Sequence, residues 1–306
     1  MRLLALFVVV LGCSGPQTPQ TTAPHEPATP VDTSRPTLTV EGQRSTLKIA
    51  SWNVQRLGHG HKDLDIVGDV IDEFDLVAVQ EVMTREVVDA LTSRTPGHRA
   101  LLTDTPTPSE GSHREFFAFF YDPSKLDPVL NTFVPDPRDE FARDPFMACF
   151  KLVENHERLC LLTVHVVWGD RVAERKAEIV ALGEAFRWAQ EGDETSSWIV
   201  LGDFNRVVDS GDADEGPEDE WAELLDGRRL RAPVVLAGQE TPTTLGKSSY
   251  ANAFDHVFVS DDLADDLVEA GRFDIVQEVC GGAFDLCKKT VSDHAPVFLE
   301  LRLQVR

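Results

Sequence analysis

Positive charge is scarce in this chain: 29 Lys and Arg stand against 52 Asp and Glu over 306 residues, a net charge of −23. A protein that grips polyanions irrespective of their sequence is expected to be basic, so tight nucleic-acid binding is disfavoured. Docking on anionic membrane surfaces is disfavoured for the same reason. Transient phosphate chemistry is not, because metal ions can screen the phosphate while it reacts. Long apolar runs are also missing. Leu3 to Leu11 is followed at once by Gly12-Cys13 and is far too short to span a bilayer as a mature helix. No long apolar membrane-docking hairpin and no internal repeat is visible. Leu245-Gly-Lys-Ser248 contains Gly-Lys-Ser, but position 241, where the earlier P-loop glycine belongs, is Thr. The acidic stretch Asp209 to Glu220 fails EF-hand spacing, which leaves a solvated loop or a loose Ca²⁺ site. His59-Gly-His61 reads as polar loop residues rather than a metal site.

Arg2 before the apolar run marks a secretory signal over residues 1–12. Val10-Leu-Gly-Cys13 has the form of a bacterial lipobox, in which Cys13 becomes the acylated first residue. Two or three acyl chains anchor stably where one does not. The expected location is the cell envelope or outer membrane, as an exported lipoprotein; with ordinary cleavage nearby the protein would instead be secreted. Residues 13–45 are rich in Pro, Thr, Ser and Gln and cannot bury enough surface to offset their ordering entropy, so they read as a flexible tether. Residues 46–306 then form one domain. No protein partner is evident, and a monomer is expected.

Four cysteines remain, Cys149, Cys160, Cys280 and Cys287. An even count in an exported chain favours disulfides, with three connectivities open. Local pairing is preferred: Cys149 and Cys160 lie symmetrically about Glu154-Asn155, a hairpin tip, and Cys280 with Cys287 closes a short loop. Neither pair has the spacing of a zinc site.

Short apolar runs predict strands over 47–52, 76–79, 115–121, 146–153, 159–167, 197–201, 254–259, 273–279 and 297–303. Helical spacing is clearest over 171–190, with Val172, Ile179, Leu182 and Phe186 inward; it recurs through Val67, Val70, Ile71 and Phe74, and a further helix is expected over 84–93. Eight or more strands with interspersed helices imply α+β layers around stacked sheets. An acid, amide or imidazole ends most of the strands: Asn53, Glu81, His165, Asp203 with Asn205, Asp255, and the pair Asp293-His294. Groups that terminate successive buried strands converge at one sheet edge. Their chemistry, oxygen donors and two proton carriers without a nucleophilic Ser or Cys, suits a hard divalent cation and a phosphate ester.

The ordered set Ser-Trp-Asn53, Gln-Glu81, Arg114-Glu115, Arg143-Asp-Pro, Val-His165, Gly-Asp203-Phe-Asn205, Asp255 and Ser-Asp293-His294 resembles the endonuclease/exonuclease/phosphatase superfamily, nearest its secreted deoxyribonuclease I branch. The resemblance spans residues 46–304 and implies a four-layer α/β/β/α sandwich of two mixed sheets. It implies Glu81, Asn53 and Asp293 as Mg²⁺ ligands, with Mn²⁺ as a substitute. Asp203 and Asn205 would orient water and phosphate, and His294–Asp255 and His165–Glu115 would act as two carboxylate-held imidazoles. His165 favours this branch over apurinic-site repair enzymes, which place Tyr there. Arg143 is read either as a contact to substrate phosphate or as a surface salt bridge with Asp139 or Asp144. His256 stands where the family commonly has Arg, a change expected to alter only a local salt bridge. The implied activity is an extracytoplasmic, Mg²⁺-dependent phosphodiesterase, an endonuclease with DNA as a transient substrate. Hydrolysis of lipid or small phosphate esters is the alternative.

Overall fold

The computed structural model describes residues 45–107, 114–193, 195–208, 219–225 and 241–303. The expected export signal, Cys13, the expected tether and most of the Asp209–Glu220 stretch lie outside them.

Strands β1 (Thr46–Leu57), β2 (Leu76–Val82), β3 (Arg99–Leu102), β4 (Phe116–Tyr121), β10 (Leu267–Arg272) and β11 (Val297–Arg302) build one sheet. Their order is β10-β11-β1-β2-β4-β3. The second sheet runs in sequence through β5 (Leu126–Phe133), β6 (Phe146–Leu152), β7 (Arg158–His165), β8 (Ser197–Asp203) and β9 (Asp255–Val259). Each sheet contains one parallel pair, β1/β2 and β7/β8; the remaining pairings are antiparallel. A parallel pair needs a crossover, supplied by α1 (Leu64–Asp72) in the first sheet and α3 (Val172–Gly192) in the second.

Strand alternation divides the apolar side chains among three cores. Ile49, Ala78 and Phe119 meet Phe146, Phe150, Leu161 and Ile199 between the sheets. Beyond the first sheet, Val77 and Phe120 pack on Val70 and Ile71 of α1 and Val88 and Leu91 of α2 (Arg85–Thr92). Beyond the second, Leu162 and Val200 pack on Ile179, Leu182 and Phe186 of α3 and Leu224 of α4 (Ala222–Leu225). The architecture is therefore the expected α/β/β/α sandwich.

Several elements depart from sequence expectation. The strand expected over 273–279 is instead a short helix, α5 (Ile275–Glu278), because the Asp274 carboxylate caps it by accepting from the Gln277 amide at 3.2 Å. Ile275 and Val276 are both fully buried, which strand alternation forbids on a half-exposed sheet. The strand lies just before it, as β10. β5 carries no clear strand pattern because Pro128 interrupts it; a proline is tolerated there because β5 is an edge strand.

Both cysteine pairs form as local disulfides. Cys149 and Cys160 face each other directly across β6 and β7 with Cα atoms 4.0 Å apart. Cys280 and Cys287, 5.5 Å apart, tie the end of α5 to α6 (Phe284–Thr290).

His256 on β9 is 2% exposed, sits among Phe204, Trp221 and Phe258, and donates from Nε2 to the Arg206 carbonyl at 2.8 Å. The arginine expected by analogy would place a permanent charge among these rings. Burial pushes the imidazole down to about 4, so it stays neutral.

Two stability measurements follow from these packing features. Folded His256 holds its proton less tightly than the unfolded imidazole, so protonation favours the unfolded chain. Its stabilisation is full above about pH 6.5 and is lost as pH falls from there toward 4. Urea melts at pH 7 and pH 5 should show the loss, and His256→Gln should flatten that difference. Replacing Cys149 and Cys160 together by Ala should lower unfolding free energy by about 2–5 kcal/mol under oxidising conditions.

Candidate active site

Topology alone brings the functional groups to one edge. The parallel pairs end together, so Asn53 and Glu81 leave the first sheet beside His165 and Asp203 leaving the second, where His165 and Asp203 are register partners. Antiparallel neighbours begin at the same edge. Asp255 opens β9 opposite Asp203, Glu115 immediately precedes β4, and Asp293-His294 lies just before β11. Asn53, Glu81, Glu115, Arg143, His165, Asp203, Asn205, Asp293 and His294 together line a cleft of about 720 Å³. Asp255 sits behind His294, fully buried.

Backbone irregularity aims several of these side chains. Among the described residues six non-glycine positions have positive φ, and four of them border the cleft: Gln55, Arg56, Glu81 and Asn205. At Glu81 (φ 58°) the β2/β4 register shifts between Val79 and Val82, a bulge that turns the carboxylate out of the ladder. Such backbone costs about 1–3 kcal/mol and persists only where its surroundings impose it. Here the Glu81 oxygens accept from Asn53 Nδ2 at 3.0 Å and from the Arg56 amide at 2.9 Å.

Each imidazole is held by a buried carboxylate. His165 Nδ1 donates to Glu115 Oε1 at 2.8 Å, and Arg143 Nε donates to the other oxygen of Glu115 at 2.9 Å. Arg143 also donates to the His165 carbonyl at 3.3 Å. Its ion pair is thus with Glu115, and it pairs with neither Asp139 nor Asp144 among the described contacts. Burial alone would raise the Glu115 carboxyl, but His165 and Arg143 outweigh it and hold Glu115 below the usual carboxylate range. Burial likewise works to lower His165, and Glu115 overcomes it to leave the imidazole raised. His294 Nδ1 donates to Asp255 Oδ2 at 2.8 Å, an oxygen that also accepts from Thr243 at 2.5 Å. Against burial, Asp255 and Asp203 push His294 up to about 10. The two Nε2 atoms lie 3.8 Å and 3.7 Å from one oxygen, Asp203 Oδ2, which accepts from Asn53 Nδ2 at 3.0 Å.

A hard divalent cation fits the mouth of this cleft. Glu81 and Asp293 both line it with carboxylate oxygens, and Glu81 adds to the burial that raises the Asp293 carboxyl. A dication between them would relieve that repulsion and find the oxygen donors it prefers. Asn53 offers its nitrogen to both neighbouring carboxylates while its oxygen accepts from the Gln55 amide at 2.9 Å, so here it organises the acids. Asp203, Asp255 and His294 also present ligand atoms within 4.8 Å of one another. A cation seated among those three would have to break the His294–Asp255 bond, which makes Glu81 and Asp293 the better seat.

Several contributors carried little sequence signal. Gln55 donates to Asp293 Oδ2 at 2.6 Å, and Gln80 crosses between the sheets, donating to Ser51 at 3.0 Å and Thr163 at 2.9 Å. Thr243 belongs to a loop far from Asp255 in pattern, and only the folded chain brings them together. Glu178 was detectable: it lies four residues before Leu182 on the inward stripe of α3, a carboxylate where apolar residues are expected.

The endonuclease/exonuclease/phosphatase family model matches residues 50–294 of this sequence. The chain belongs to that family. It is 32% identical to a deoxyribonuclease of Thioalkalivibrio sp. (strain K90mix), over 83% of this chain and 70% of that protein. Identity to deoxyribonuclease-1-like 1 of Sus scrofa is 27%, covering 86% of this chain and 84% of the relative. The fold matches that of D. rerio TDP2 complexed with single strand DNA product, with a TM-score of 0.61 at 19% identity over 85% of this chain and 100% of that one. As a member of the family, this protein is a phosphoric ester hydrolase.

For this hydrolase, His165→Ala and His294→Ala should each lower turnover by about 10²–10⁴-fold, the range for a positioned acid or base. Near-native far-UV circular dichroism should accompany the loss, because His165 ends β7 and His294 lies in the loop before β11, both outside the apolar cores. Full turnover in both variants would refute the assignment.

Proposed function

We propose that this protein is an extracytoplasmic, Mg²⁺-dependent phosphodiesterase that acts as an endonuclease on DNA. The observation that carries the reading is the pair of carboxylate-held imidazoles whose Nε2 atoms lie 3.8 Å and 3.7 Å from one Asp203 oxygen. Hydrolysis needs a proton removed from water on one side of the phosphorus and a proton delivered to the ester oxygen on the other. Two imidazoles facing one carboxylate across a cleft meet that need. The P–O bond to water forms as the P–O bond to the leaving oxygen breaks, and Asp203 with Asn205 orients the water and the phosphate.

The imidazoles differ in their surroundings. Glu115 and Asp203 favour protonation of His165 while Arg143 opposes it, and Asp255, Asp203 and Asp293 all favour it at His294. One imidazole serves as base and the other as acid. Mg²⁺ held by Glu81 and Asp293 would neutralise charge on the non-bridging oxygens. Arg143, half-buried at the cleft wall, can extend that neutralisation once substrate arrives. DNA is favoured as substrate by the deoxyribonuclease names of the relatives. The lipobox-like Val10 to Cys13 supports an envelope lipoprotein.

Purified protein should nick supercoiled plasmid DNA with Mg²⁺ or Mn²⁺ and lose all activity in EDTA. Glu81→Ala should raise the Mg²⁺ concentration needed for half-maximal rate. Cleavage undiminished in EDTA would sink the metal assignment, and hydrolysis of choline or inositol phosphodiesters with intact DNA would move the substrate to the lipid and small-ester class. Full-length protein made in a bacterium should fractionate with membranes, and Cys13→Ser should release it or leave the precursor uncleaved. Wild-type protein cut elsewhere and free of lipid would exclude the anchor.

A further inference from the structure

Trp168 lies three residues beyond His165, lines the cleft, and is 74% exposed. A lone exposed apolar side chain needs no explanation. This one is different because its backbone is fixed on both sides. The Val166 amide donates to the Asp203 carbonyl at 2.9 Å, and Asn205 Nδ2 donates to the Val166 carbonyl at 2.9 Å. The Val167 amide donates to Glu178 Oε2 at 3.0 Å, and Arg175 donates from Nη1 to the Gly169 carbonyl. Glu178 and Arg175 both project from α3, and Glu178 also accepts from the Ala142 amide at 3.0 Å, next to Arg143. The chain thus anchors four backbone groups around a ring that stacks on no aromatic neighbour among the described residues. The same bonds tie the backbone that carries the ring to Asp203 and Asn205 and, through Glu178, to the segment next to Arg143.

A solvent-facing indole on an anchored backbone beside a phosphate-ester site offers a flat π-face. Three cations, Arg56, Arg143 and Lys288, line the same cleft beside its carboxylates. Aromatic faces interleaved with cations are the physical recipe for single-stranded nucleic acid, in which base faces are free to stack. In an intact duplex those faces are occupied by neighbouring bases. Resting on the nuclease reading above, we propose that Trp168 is a specificity-determining stacking platform for an unpaired base beside the scissile phosphate. The protein accordingly favours single-stranded or locally melted DNA over intact duplex.

The test compares wild type, Trp168→Ala and Trp168→Phe on three Mg²⁺-loaded substrates: a single-stranded oligonucleotide, its duplex, and the same strand with abasic residues flanking the scissile bond. Trp168→Ala should raise KM for the single strand about tenfold, the scale of one lost base–aromatic stack, with kcat nearly unchanged. KM for the duplex and the abasic strand should stay near wild type, and Trp168→Phe should recover most of the loss. Equal changes on all three substrates, or a fall in kcat at constant KM, would overturn the platform. So would wild-type kinetics in Trp168→Ala while wild type cleaves all three, an outcome that leaves the nuclease reading standing. If wild type cleaves none of the three yet hydrolyses a choline phosphodiester in zwitterionic vesicles, the nuclease reading fails and the platform fails with it.

Discussion

The Asp203 carboxylate is the point on which the site depends. One oxygen caps the Asn205 amide at 2.8 Å; the other accepts from Asn53 and faces both imidazoles. Asp203 and His165 come from the second sheet, Asn53 from the first, and His294 from the loop entering the first. A single carboxylate therefore fixes the two sheets' functional edges relative to each other. Its placement relies on Gly202, whose φ of 151° and close approach to the Val164 carbonyl leave no room for a Cβ. A side chain at position 202 would push β8 from β7 and carry Asp203 away from His165.

Stacked sheets make such an edge only if enough strands end there. The parallel pairs β1/β2 and β7/β8 deliver four C-terminal ends, and antiparallel neighbours deliver the starts of β4, β9 and β11. The apolar core between the sheets aligns these ends, and Gln80 adds a polar link across it. Ser292 and Trp52 lock the Asp293-His294 loop onto β1: Ser292 Oγ donates to the Asn53 carbonyl at 2.7 Å, and Trp52 Nε1 donates to the His294 carbonyl at 2.8 Å. The catalytic groups thus rest on rigid elements even where their own segment is a loop.

Burying this much charge is costly, several kcal/mol per ion before pairing. The protein limits the cost by pairing each group. Glu115 receives both His165 and Arg143, and Asp255 receives His294 and Thr243, although Asp255 Oδ1 finds no hydrogen-bond partner among the described residues. A fold selected for stability alone would replace such a cluster with apolar side chains. Its retention at a cleft wall is what chemistry on a phosphate ester requires. His256, by contrast, shows a titratable group kept neutral by an aromatic shell, where it contributes packing and one hydrogen bond.

Much of this was legible in the sequence because local patterns carry it. Apolar runs ending in Asn53, Glu81, His165 and Asp203 announce buried strands and the edge where they finish, and the cysteine spacing around Glu154-Asn155 announces a cross-strand pair. The 171–190 periodicity announces α3, since one helical face must be apolar. Tertiary structure alone decided the rest. Whether Arg143 meets Glu115 or a nearby aspartate depends on a loop packed across the sheet, and Thr243 reaches Asp255 only once β9 is in place. The α5 helix replaces an expected strand because a cap at Asp274 and a disulfide outweigh a β-branched run. The anchored backbone around Trp168 likewise arises from bonds to residues 7 to 37 positions later in the sequence. Composition and periodicity report which residues leave water; they are silent on which polar partners meet once those residues have packed.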